Sequence, residues 1–106
     1  MSKYLITGSY TTQGVKGVLA EGGSGRVAAV TKLMASLGGS VESMYFGFGG
    51  DDFYITVDLP GNSAMAAGAL TTAASGAVNI RTIVLLTPEE VDAAVKMSVD
   101  YRAPGA

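Results

Sequence analysis

VESMYFGFGGDDFYITVDL, residues 41–59, is the stretch whose reading decides the fold. Two runs rich in β-branched and aromatic residues flank Gly49-Gly50-Asp51-Asp52, residues that tolerate positive φ or bond back to the backbone. The pattern predicts a β-hairpin with strands over 41–48 and 53–59. In the second strand Phe53, Ile55, Val57 and Leu59 alternate with Tyr54, Thr56 and Asp58. A strand sends successive side chains to opposite faces, so the first set is expected to meet helices and the second to face away.

On the N-terminal side, residues 4–10 read as a strand. Residues 11–25 hold Gly14, Gly17, Gly22, Gly23 and Gly25. A short helical turn over 13–19 is expected there, then a flexible Gly-Gly-Ser-Gly approach to a helix. That helix shows Val27, Val30, Met34 and Leu37 on one stripe, with Ser24 as its cap and Gly38-Gly39 as its stop. On the C-terminal side, Asn62 or Ser63 is expected to cap a helix over 64–74, ended by Ser75-Gly76. A strand over 78–87 follows, with Ile80, Thr82, Val84 and Leu86 on one side and Asn79, Arg81, Ile83 and Leu85 on the other. Thr87-Pro88-Glu89-Glu90 then starts a third helix, expected to reach about Val99. Residues 101–106 read as a frayed tail.

The order βαββαβ is the ferredoxin-like motif: an α+β fold with a four-stranded antiparallel sheet, both main helices on one face, and here an added C-terminal helix. One domain over 1–100 is expected. The uncovered sheet face mixes Tyr54, Thr56, Asp58, Asn79 and Arg81 with Ile83 and Leu85. Such a face is too apolar for water and too polar for a dry core, so pairing with a second copy around a small cavity is expected.

Composition narrows the function. The chain has 106 residues, 48% hydrophobic and 15% charged, which suits a folded core with apolar surface left for self-association. A net charge of −2, with seven basic residues scattered along the chain, argues against nucleic acid, which is held by clustered Lys and Arg. There is no Cys and no His. Disulfides, thiol nucleophiles, imidazole bases and the usual zinc, copper and haem ligands are thereby excluded, and no cofactor is expected. No signal pattern and no membrane-spanning apolar run is read, so a cytoplasmic protein with no membrane partner is expected.

Several short motifs together resemble the GYD-domain family, small proteins related to the dimeric α+β barrels. They are Tyr10-Thr11, Gly14 with Lys16-Gly17, Glu21-Gly22-Gly23 with Arg26, and Leu37-Gly38-Gly39. Tyr45 to Gly49 with Asp52, Ala74-Ser75-Gly76, and Leu85 to Glu90 complete the set. The likeness runs from Tyr4 to about Ala94. The family hairpin reads Gly, any residue, Tyr, Asp; here it reads Gly49-Gly50-Asp51-Asp52, with Asp51 at the Tyr position. The resemblance implies a ferredoxin-like subunit of the dimeric α+β-barrel type and self-association. It implies no particular activity or cofactor.

Candidate site residues have plain structural uses as well. Residues 22–26 lack the spacing of a P-loop or a dinucleotide fingerprint, yet they set amides and Arg26 at a helix start where a small anion would sit. Lys16 is either an acid-binding amine or, more in keeping with lysine, a solvated charge. Asp51 and Asp52 are adjacent and point apart, so they do not form a shared-proton dyad; Asp52 reads as a turn-former. Asp58 and Arg81 lie on non-neighbouring strands, and Arg81 suits either an interface ion pair or an anionic ligand. Tyr10, Tyr45, Tyr54, Phe46 and Phe48 wall a pocket or anchor packing. The reading is a self-associating protein that binds a small molecule or serves a structural role. The alternatives are a cofactor-free enzyme, monooxygenase- or isomerase-like, using Tyr45, Tyr54 and Arg81 on an aromatic or carbonyl compound, and a module sensing a small acid at residues 22–26.

Overall fold

The structure, a computed structural model, describes residues 1–106. Strand β1 (Ser2–Tyr10) leads into helix α1 (Thr12–Ser36), then β2 (Ser40–Phe46), β3 (Phe53–Leu59), helix α2 (Asn62–Ala74), β4 (Val78–Leu85) and helix α3 (Pro88–Val95). The four strands form one sheet in the order β2-β3-β1-β4, every neighbouring pair antiparallel. This is the expected ferredoxin-like arrangement with a C-terminal helix added. No helix is long and apolar enough to cross a membrane.

Period-two patterning of β3 does what its sequence implies. Phe53, Ile55, Val57 and Leu59 are all buried. The ladder sets Val57 opposite Tyr4 and Ile55 opposite Ile6, so the two central strands present one continuous apolar surface. Val30 and Met34 from α1 and Met65 from α2 close over it. Packing of this kind, rather than helix propensity, supplies most of the stability of such short elements. The buried Tyr4 hydroxyl donates to Asn62 Oδ1 at 2.6 Å, which pins the start of α2 to β1.

That bond corrects one expectation. Neither Asn62 nor Ser63 caps α2: the N-cap is Gly61, without a side-chain bond. The Asn62 oxygen serves the Tyr4 hydroxyl instead, because a phenol buried without a partner is costly. The glycine-rich segment is the larger correction. Helix α1 begins at Thr12 and runs through it, capped by Thr11, whose hydroxyl accepts from the Gly14 N–H at 3.3 Å. The flexible approach is a kink at Gly22 alone (φ 74°, ψ 176°), and Ser24 lies inside the second arm of the helix. Those angles belong to a region that only glycine occupies readily. Gly14 has a packing reason: a Cβ there would lie 2.0 Å from the Ala77 carbonyl oxygen. At Gly17 a Cβ would meet nothing within 4 Å.

Helix α1 ends as read, with Gly38 at φ 84° and the Gly39 N–H donating to Met34 O at 2.9 Å. Strand β2 stops at Phe46, short of the expected 48. Phe48 sits in the hairpin loop, fully exposed. Strand β4 stops at Leu85 rather than 87, and its far half is uncovered on the helix side, where Val84 and Leu86 are exposed. The Thr87–Glu90 capping box forms, yet α3 ends at Val95 rather than Val99 and buries no residue. The radius of gyration is 16.9 Å, against roughly 13 Å for a compact domain of this length. The C-terminal segment therefore projects from the body and leaves Val91, Val95, Met97 and Val99 exposed.

Three glycine substitutions separate propensity from geometry. Gly17→Ala is expected to raise stability by about 0.5–1 kcal/mol, the ordinary helix gain. Gly22→Ala is expected to lower it by about 1–3 kcal/mol through backbone strain, and Gly14→Ala to lower it through collision with Ala77. Urea midpoints of the three variants test this, and loss of stability in Gly17→Ala would contradict the assignment of residues 12–21 to helix.

Candidate functional site

Two places in the molecule gather the side chains of interest, one on each side of the sheet. The first lies between the helices and the sheet. An apolar cavity of about 60 Å³ is lined by Ile6, Val30, Met34, Phe53 and Met65 among others. Outside it is a wider recess of about 460 Å³, with Gln13, Glu21, Thr71 and Ser75 on its walls. Tyr10, Arg26, Leu33, Thr72 and Val78 line both, so cavity and recess are one cleft, apolar within and polar at the mouth.

The backbone fixes this mouth from several directions. Tyr10 is the last residue of β1, and its N–H donates to Asp52 Oδ2 at 2.9 Å. The Asp52 N–H donates to Gly8 O at 2.7 Å, and the Thr11 N–H to Ala77 O at 3.0 Å. Asp52 is thus a long-range tie between the hairpin and β1 rather than a local turn-former. The Tyr10 ring packs on Phe53 with centroids 5.1 Å apart.

Arg26 follows the kink in α1. Its Nη1 donates to Glu21 Oε1 at 3.1 Å, while its Nε is buried without any partner. An i,i+5 contact does not suit a straight helix, where neighbours are three and four apart; the turn at Gly22 brings the pair together. An unpaired buried N–H costs about 1–3 kcal/mol. Burial raises the pKa of the Tyr10 hydroxyl, and the positive charge of Arg26 beside it works in the opposite direction. Tyr10 stays neutral at physiological pH, a hydroxyl donor beside a cation.

The second place is the uncovered sheet face. Register aligns Tyr45, Tyr54, Thr7 and Arg81 in one cross-strand row, with Ser43, Thr56, Leu5 and Ile83 in the next. Tyr45 is 72% exposed, Tyr54 42% and Ile83 48%, whereas Thr7 between them is buried. Charges on this side are paired within the subunit. Arg81 bonds to Asp51 at the hairpin tip. Lys3 bonds to Glu42 and, at 2.9 Å, to Asp58. Ser43 and Thr56 share a hydrogen bond.

The sequence-predicted residues therefore divide. Tyr10 and Arg26 come together at the cleft. Tyr45, Tyr54 and Arg81 come together on the open face, on the other side of the sheet, with Asp51 and Asp52 at its hairpin end. Lys16 is exposed on α1 and lines neither part of the cleft. Asp58 and Arg81 do not meet, each having a nearer partner. Sequence reasoning missed Glu21 as the partner of Arg26; the signal was their placement on either side of Gly22-Gly23. It also missed Thr71, Thr72 and Ser75, which carry no signal until the end of α2 is seen to flank the kinked helix. No group of three or more Asp, Glu, His or Cys side chains is gathered as a metal set.

The family model of the GYD domain matches residues 4–95, most of the chain, and the chain belongs to that family. No curated protein and no solved structure matches it.

Two groups with raised pKa values bear on stability at alkaline pH. Hydrogen bonds that the Lys3 ammonium donates to Glu42 and Asp58 raise its pKa, and burial raises that of Tyr10. Below about pH 10 each group holds its proton in both folded and unfolded chains. Above it the unfolded chain releases its protons first, so stability is expected to fall as pH rises through the raised values. Urea midpoints measured from pH 8 upward should show a decline, shallower in Tyr10→Phe and in Lys3→Met, and an identical slope in both variants and the parent would refute the assignment.

Proposed function

We propose that this GYD-domain protein is a self-associating module that binds a small molecule and performs no chemistry of its own. The observation that carries the association is the state of the uncovered sheet face. Exposed Tyr45, Tyr54 and Ile83 lie side by side on it, and every charge beside them already has a partner in the same subunit. A lone charge taken out of water is expensive, whereas a paired one costs far less to cover. Such a face can be roofed without stranding an ion, and aromatic side chains supply most of the gain. A second copy is the natural roof, because it brings the same mixed surface in a two-fold arrangement. The exposed apolar residues of α3 add further surface for an assembly.

The binding role rests on the cleft, which combines an apolar interior with polar groups at its mouth, the usual composition of a small-molecule site. A second reading, a cofactor-free enzyme acting on an aromatic or carbonyl compound, draws on the row of Tyr45, Tyr54 and Arg81. Bonding of Arg81 to Asp51 weighs against it, since the guanidinium that would steady developing negative charge already serves a carboxylate.

Sedimentation velocity at micromolar concentration is expected to show a dimer or larger species. Ile83→Asp combined with Tyr54→Asp is expected to give a folded monomer by circular dichroism. A monomeric parent protein, or a double variant that still associates like the parent, would overturn the role given to this face.

A further inference from the structure

We infer that the cleft between the kinked α1 and the C-terminal end of α2 binds a small carboxylic acid with a short apolar tail or ring, its carboxylate on Arg26 and Tyr10. The inference rests on the binding role proposed above and names its site and ligand class. Three observations carry it.

Arg26 stands at the junction of the apolar cavity and the polar recess, since it lines both. Its Nε is buried and has no partner, while Nη1 is engaged by Glu21. A guanidinium offers donors in a planar fork that fits the two oxygens of a carboxylate, and here one prong is left unused. Glu21, joined to Nη1 at 3.1 Å and itself partly exposed, already shows the chemistry that the site accepts. A ligand carboxylate would take the place of that side chain on the guanidinium or share the guanidinium with it, and a small shift of the Arg26 side chain would bring the unpaired Nε–H to the second oxygen. The Tyr10 hydroxyl, neutral at pH 7 as a phenol ordinarily is, lines both parts of the cleft with Arg26 and is a second donor there.

Apolar groups decide the rest of the ligand. Val30, Met34, Phe53 and Met65 line the inner part, about 60 Å³ in volume, which is room for a few water-sized groups. That favours a short alkyl chain or one ring over a long lipid tail. Gly68 forms part of the same wall. A fully hydrated anion such as inorganic phosphate gains nothing from such an interior, so charge alone does not describe the site.

Thermal-shift and calorimetric titrations of the full chain at pH 7 test this with straight-chain carboxylates from butanoate to octanoate, and with benzoate. Acetate, hexanol and inorganic phosphate are the comparisons. Hexanoate or benzoate is expected to raise the melting temperature, and acetate, hexanol and phosphate to do so far less. Arg26→Gln is expected to weaken hexanoate binding at least ~10-fold, as loss of a charge-assisted pair does, and Tyr10→Phe to weaken it less. Glu21→Gln, which removes the competing carboxylate, is expected to tighten it. The effect should fade as pH falls through the ligand's own carboxyl range, about 4–5. No shift with any carboxylate overturns the inference, as does a phosphate shift equal to that of hexanoate or binding unchanged by Arg26→Gln. If Arg26→Gln does not fold, unchanged or weaker binding by Glu21→Gln overturns it. The Ile83→Asp, Tyr54→Asp variant should bind hexanoate like the parent, because the cleft lies across the sheet from the association face. A monomeric parent that binds hexanoate therefore refutes the assembly alone, and an assembled parent that does not bind it refutes the ligand class alone.

Discussion

The burial of one side of the β1–β3 ladder against α1 and α2 is the interaction on which the rest of the molecule depends. Tyr4 and Ile6 on one strand and Ile55, Val57 and Leu59 on the other are removed from water together. At roughly 25 cal/mol per Å² of apolar surface, a block of this kind outweighs any single hydrogen bond in the chain. Since the side chains alternate, committing this set to the helices commits Thr7, Tyr54, Thr56 and Asp58 to the opposite side. With only two helices packed on the sheet, and both on one face, an aromatic-bearing surface is left without a cover. The proposed assembly is a consequence of that imbalance.

The kink in α1 has a second consequence. A straight helix from Thr12 to Ser36 would carry Glu21 and Arg26 on different sides. Gly22 redirects the chain so that Arg26 meets Glu21 and stands beside Tyr10, the residue that ends β1. Tyr10 is in turn fixed by Asp52, two residues from the β1–β3 pairing at Gly8. The cleft is therefore assembled from a strand end, a helix break and a hairpin carboxylate, all tied to the same central ladder. It follows that the two candidate surfaces, although on opposite sides of the sheet, share their scaffold.

Asp51 and Arg81 illustrate how a charge at the hairpin tip is accommodated. The acid at the hairpin tip is met by Arg81 of β4, which the fold sets within its reach. The side chain of Asp51 is 17% exposed and that of Arg81 71%, so the pair is largely screened and adds little by itself. Its effect is on the face as a whole: it leaves the open side without an unpaired charge at that end.

Features governed by nearest neighbours along the chain were legible in the sequence. The two-residue period of Phe53–Leu59 fixes which side chains turn inward, Gly38-Gly39 ends α1 because glycine takes positive φ cheaply, and Thr87 with Glu90 closes a capping box within four residues. Family membership was legible for the same reason, since its motifs are short and local. The path of residues 12–25 was not. Glycine content argues against helix by propensity, and the uses of Gly14 against Ala77 and of Gly22 at the kink are visible only in the packed fold. Asn62, Asp52 and Asp51 likewise had local uses on paper. Each instead bonds to a group that is distant in sequence, namely the Tyr4 hydroxyl, the Tyr10 amide and Arg81. A polar side chain bonds to the group that the fold brings within its reach, and which group that is depends on how the sheet and helices come together in space.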